Sequence, residues 1–299
     1  MFPVRAGWSA KAPIAALLVL FPVAPAFAQS GIQPRCEEYR DRFRFKPDVV
    51  AEQLDPVTCR FTGVTVHVTT RISLSIDRLT LSGPPPTGKL PNVPLTIRVD
   101  ARGIRYLLPT SLEDKTFEWV YRQQQVPFDV VFHVAYDPAA KRLTARELSL
   151  TREDGRYALS AVFEDIDLSK GFDEMMKGAP ALRTLSLDLS DRFLINSYLL
   201  PQLAKSLGPD PAAGLARAQA RLTTALQTAK AQSLSPSSRA ALIAYVRDFP
   251  QARGPFRVRI DVSGAPLRDR EFVGKSATPL TTAAALARLK IDARYEPPR

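Results

Sequence analysis

Residues 63–83, GVTVHVTTRISLSIDRLTLSG, alternate apolar and polar positions almost without interruption. Val64, Val66, Val68, Ile72, Leu74 and Ile76 share one parity, and Thr65, His67, Thr69, Arg71, Ser73 and Ser75 share the other. Period-two alternation rich in β-branched residues predicts a strand with one buried face. No Gly, Pro, Asn or Asp falls between positions 64 and 76, so the pattern reads as one strand. At about 3.3 Å per residue it would reach roughly 40 Å, far beyond the usual strand of about six residues. Such a strand belongs to a large curved sheet. After Ile76 the apolar set changes parity to Leu79 and Leu81, which predicts a bulge or bend at Asp77 and Arg78, where the sheet re-aims its buried face.

The same alternation returns down the chain. After the proline-rich stretch GPPPTGKLPNVP, which cannot supply ladder donors, Leu95, Ile97, Val99 and Ala101 predict a strand ending at Gly103. Phe128, Val130, Phe132, Val134 and Tyr136 predict another, followed by the turn DPAAKR, the strand LTARELSL, a turn at 152–155, and Tyr157, Leu159, Ala161 and Phe163. Short connections without crossover helices make residues 128–167 an antiparallel meander. LRTLSLDLSD adds a further strand. Residues 111–125 open on a capping box and predict a helix, although Phe117, Trp119 and Tyr121 also alternate as a strand would. A short helix is expected at 170–177.

Near Asp191 the period changes from two to that of a helix. Helices are expected over 191–207, over 212–232, and from Pro236 to about 249, where Ser235 caps and proline takes the first turn. Phe256, Val258, Ile260 and Val262 form a strand, residues 281–288 a helix, and Leu289, Ile291, Ala293 and Tyr295 a last strand. Strands followed by helices give an α+β fold: a large curved, mainly antiparallel sheet, a helical segment (about 191–250) packed on it, and a closing strand–helix–strand unit. A domain boundary, if present, falls near 191.

The N-terminus changes the picture of where the protein works. Residues 1–28 carry two basic residues, Arg5 and Lys11, then the apolar run IAALLVLF, and end in Ala26-Phe27-Ala28. That is the layout of a secretory signal peptide cleaved before Gln29, and Pro13, Pro22 and Pro25 argue against a membrane anchor. Residues 29–299 then form a single exported domain, expected in the periplasm, with secretion beyond the envelope left open. Removing two of the 41 basic residues and none of the 30 acidic ones leaves a charge of about +9. The surplus suits an anionic membrane surface or an acidic polymer, but the arginines are scattered and also fit a solvated surface. Nucleic acid is not an expected partner, for lack of a basic-aromatic motif. The two cysteines, Cys36 and Cys59, are expected to form a disulfide that ties a short helix beginning at Cys36 to the start of the long strand.

Little in the chain points to catalysis. His67 and His133 fall on polar strand faces without ligand spacing, so no metal or other cofactor is expected. There is no G-x-S-x-G elbow and no phosphate-binding glycine motif. The acidic pairs Glu153-Asp154, Glu164-Asp165 and Asp173-Glu174 lie at turns or strand ends; a hydrolase would need carboxylates converging in a cleft. The reading is therefore a non-enzymatic protein whose curved sheet binds or shields a lipid or other apolar ligand. Val64, Val66, Val68, Ile72, Leu74, Ile76, Phe132 and Val134 line the groove. If helices cover that face instead, the same residues form a dry core. A different class of function is an envelope interaction or assembly module that engages another envelope protein through basic surface or an open sheet edge.

The stretch VPFDVVFHVAYDPAAKRLTARELSLTREDGRYALSAVFEDIDLS, with Tyr136-Asp137, Leu143, Leu148, Leu150 and Gly155, and the later LRTLSLDLSD resemble a group of uncharacterised exported bacterial proteins over about residues 90–250. That resemblance implies no activity. The alternating stretch 64–76 is similar in style to AsmA-like envelope proteins, which implies a β-sheet groove concerned with phospholipid.

Overall fold

A computed structural model describes residues 36–67, 73–84, 93–107, 126–153, 155–168, 180–190, 210–228, 233–252, 254–268, 285 and 287–297. Ten strands form one open antiparallel sheet in strict chain order. They are β1 (Val50–Asp55), β2 (Thr58–His67), β3 (Ser73–Ser82), β4 (Leu95–Leu107), β5 (Phe128–Asp137), β6 (Arg142–Arg152), β7 (Gly155–Glu164), β8 (Ala181–Leu189), β9 (Phe256–Val262) and β10 (Leu289–Tyr295). Among the described residues three helices with full bounds accompany the sheet: α1 (Cys36–Phe43), α2 (Pro211–Thr228) and α3 (Pro236–Asp248). The α+β architecture expected from the alternation is present. The strands after the helical segment return to it, β9 pairing with β8 and β10 with β9.

The single long strand expected over 64–76 is instead a hairpin. β2 and β3 pair antiparallel, Val64 opposite Ile76 and Val66 opposite Leu74. Each pair of partners is an even number of residues apart, so both carry their apolar side chains to the same face and the alternation survives the reversal. Period-two patterning therefore cannot reveal the turn. Val68 and Ile72 lie outside the described residues.

The re-aiming expected at Asp77 and Arg78 is present and involves three strands at one level. Buried positions pass from Cys59 and Phe61 to Val64 in β2, from Leu81 and Leu79 to Ile76 and Leu74 in β3, and from Val99 and Ala101 to Ile104 in β4. The β2–β3 and β3–β4 registers run through this level unshifted, because all three strands skip a residue together. Gly63 and Gly103 take positive φ angles of 72° and 64° there. The change stops at β5: Ala101 pairs with Val130 but Ile104 with Phe128, so β4 holds the extra residue as a bulge. Asp129 of β5 takes up the bulged donors, accepting from the Gly103 amide at 2.9 Å and from Arg102 Nη1 at 2.9 Å.

Each end of the sheet has its own core. At the β1 end α1 packs Tyr39, with Phe45 beyond the helix, against Phe61, Val64 and Leu79. The expected Cys36–Cys59 disulfide fixes the helix there, and the Tyr39 hydroxyl donates to the carbonyl of Gly83. At the β10 end Tyr245 of α3 stacks on Phe256 at 3.8 Å between ring centres, with Tyr295 edge-on to both. Ser235 caps α3 as expected, its hydroxyl accepting from the Ser238 amide. The Ser233 carbonyl accepts from the Ile291 amide at 2.9 Å, so this segment covers part of the β10 edge. The helices expected at 111–125, 170–177 and 191–207 lie outside the described residues. Of that expected over 281–288, Ala285 and Ala287 are helical.

Candidate functional site

Although several ladders shift register, apolar positions line up in rows that cross much of the meander. One row starts at Cys59, Leu81 and Val99, continues through Phe132, Leu148, Leu159, Leu187 and Val258, and ends at Ala293. A parallel row runs through Ile97, Val134, Ala145, Ala161, Leu185, Ile260 and Ile291. Both lie on the face that carries the two end cores and, beside the second row, a third cluster of Leu95, Tyr136, Ile166 and Leu168. The outer members of the first row are buried: Cys59, Leu81 and Val99 on one side, Ala293 on the other. Its five middle members, Phe132 to Val258, are only half-buried. Four inter-strand spacings of about 4.8 Å make this stretch roughly 19 Å long.

The predicted groove residues divide between the α1 core and the half-buried rows. Val64, Leu74 and Ile76 are buried in the α1 cluster, at 0, 3 and 7 % exposure. Val66 and Phe132 pack half-buried against that cluster. Phe132 is also the first half-buried member of the long row, and Val134 lies beside it in the parallel row. Leu148, Leu159, Leu187 and Val258 were not singled out from sequence. Each belongs to an alternating strand, but their alignment with Phe132 depends on registers set by turns and bulges.

The opposite face is polar and holds a pocket of about 480 Å³ beside the bulge, lined by Arg60, Arg78, Thr80, Asp100, Arg102 and Asp129. Arg102 forks between two carboxylates, Nε to Asp100 at 2.5 Å and Nη1 to Asp129 at 2.9 Å. These bonds, that to Asp100 first, hold its guanidinium pKa above the ordinary value. Arg60 reaches away to Glu52 at 3.2 Å, and Arg98 stands 3.8 Å from Asp100.

The remaining candidates occupy structural positions. His67 Nδ1 lies 2.7 Å from Ser73 Oγ in the β2–β3 hairpin. The pKa of His133 is lowered, chiefly by burial and then by Arg146 and Arg98. Glu164 binds Arg183 through both carboxylate oxygens, and Asp165 pairs with Arg268. Asp154 and the pair Asp173-Glu174 fall outside the described residues. Among the described residues no group of three or more His, Cys, Asp or Glu side chains could hold a metal. No described helix is long and apolar enough to cross a membrane. Compared with protein-family profiles, with curated proteins and with solved structures, the chain matches none.

Proposed function

We propose that this is an exported, non-enzymatic envelope protein that holds a lipid acyl chain in the trough across β5–β9. The observation that carries the reading is the row Phe132, Leu148, Leu159, Leu187 and Val258, half-buried between two dry cores. Contiguous apolar surface bordered by closed ends favours an apolar guest over water. Its length of roughly 19 Å is enough for a single acyl chain, since each of two opposed leaflets contributes about 15 Å to a hydrocarbon core of about 30 Å. The Cys36–Cys59 bond supports an oxidising compartment, in keeping with residues 1–28 read as a signal peptide. The test is native mass spectrometry of the mature chain purified from its own envelope, followed by lipid extraction and re-addition of a fluorescent fatty acid. A bound species of lipid mass, restored by the probe and lost in Leu187→Asp, is the expected result. A bare chain that takes up no probe overturns it.

A second reading, an assembly module, draws on the β1 edge. Val50 and Leu54 in this strand are 65 and 40 % exposed, an arrangement that invites strand addition by another envelope protein. Crosslinking from Glu52 in envelope extract that returns no specific partner removes this alternative.

A further inference from the structure

We infer that the pocket on the polar face is a binding site for a compact oxyanion of the phosphate class, received by Arg78. This site is on the face opposite the trough and does not depend on the acyl-chain reading. Arg78 stands directly across from Arg102 on the neighbouring strand, an arrangement of like charges that ordinarily destabilises a sheet. Arg102 is neutralised by Asp100 and Asp129, and Arg60 is held by Glu52. Among the described residues Arg78 makes neither a hydrogen bond nor an ion pair, and its side chain is exposed at the mouth of the pocket. Arg60, Arg78, Arg98 and Arg102 face three carboxylates, Glu52, Asp100 and Asp129, so the surplus positive charge resides on Arg78.

One further donor on the same wall lacks an acceptor among the described residues: Thr80 lines the pocket with no hydrogen bond from its hydroxyl. A hydroxyl and a guanidinium that find no protein acceptor in one pocket suit an acceptor that arrives from outside. A guanidinium presents two parallel N–H groups that match a tetrahedral oxyanion. The carboxylates of the pocket are already engaged with Arg102, which fixes the wall in place and leaves the guest to Arg78.

The oxyanion has two sources, a lipid headgroup or a soluble phosphate compound, and the experiment separates them. The mature chain is titrated with inorganic phosphate at constant ionic strength by isothermal calorimetry, alongside Arg78→Ala and Arg257→Ala. Arg257 lies far along the same polar face, paired with Asp188, and serves as the control. The expected result is one saturable site, weakened at least about tenfold by Arg78→Ala and unchanged by Arg257→Ala. Co-sedimentation with phosphatidylcholine vesicles, with and without phosphatidic acid, is run in parallel. Retention on phosphatidic acid that depends on Arg78 and is competed by phosphate assigns the headgroup; phosphate binding without retention assigns a soluble compound. Absence of saturable phosphate binding, or binding equal in the wild type and Arg78→Ala, overturns the inference. So does an equal loss in both variants, which marks general charge attraction.

Discussion

Replacing Gly103 by alanine tests the account of how the sheet re-aims its buried face. Gly103 sits at φ +64°, where an L-residue costs about 1–2 kcal/mol. A methyl group there would also lie 2.6 Å from Asp77 Cγ and 2.9 Å from Asp77 Cβ, so Asp77 must leave its position. That movement breaks its 2.7 Å bond with Arg105, a surface pair of about 0–1 kcal/mol, because the Asp77 side chain is 56 % exposed. The sum is about 1–3 kcal/mol for Gly103→Ala. Gly63, at the same level of β2 with φ +72°, has nothing within 4 Å of an added methyl, so Gly63→Ala costs the backbone part alone, about 1–2 kcal/mol.

Urea denaturation followed by circular dichroism gives both values, provided the slope m is unchanged. In an Asp77→Gly background, which removes Cβ together with the carboxylate, the cost of Gly103→Ala should fall to that of Gly63→Ala, a coupling of about 1 kcal/mol between positions 103 and 77. Equal costs for the two single alanines, with no coupling to Asp77, would refute the close approach of Asp77 to Gly103. An insignificant cost at both positions would refute the positive-φ level itself.

Two other expectations follow from the same geometry. Removing the disulfide by Cys36→Ala/Cys59→Ala releases a 23-residue separation and should cost about 3 kcal/mol of stability, read as a shift in the urea midpoint; a loss below about 1 kcal/mol contradicts a clamp between α1 and β2. The hydrogen bond from Arg183, reinforced by its charge and that of Arg142, outweighs burial and holds the Glu164 carboxyl below its ordinary value of 4.5. With the folded pKa depressed, the stabilisation is complete above about pH 5 and is lost as pH falls through the folded value. Glu164→Gln should therefore be less stable than the wild type at pH 7, by at most about 1 kcal/mol, and the gap should close on acidification; a gap independent of pH contradicts the ion pair.

Local chemistry made much of the fold legible in the sequence. Alternation fixed which side chains of β4, β5, β7 and β9 face the apolar layer, because successive residues of a strand must point to opposite faces. The turn residues at 137–142 and 152–155 announced hairpins, and two cysteines allowed a single intramolecular pairing. Ser235 before Pro236 marked the start of α3. The change of parity after Ile76 located the kink to within a residue or two.

Tertiary structure decided the relations between strands. It turned the stretch 64–76 into a hairpin, which alternation cannot distinguish from one long strand, since antiparallel partners of equal parity share a face. It aligned Phe132 with Leu148, Leu159, Leu187 and Val258 through four registers, three of which shift at a β-bulge or irregularity. It also brought Asp129 to the bulge at Gly103, and Arg78 to face Arg102 from 24 positions away in the chain. A strand's sequence specifies which way each side chain points. Which neighbour it then meets depends on turns, bulges and packing summed over the whole sheet, and both the half-buried apolar row and the polar-face pocket are built from those neighbours.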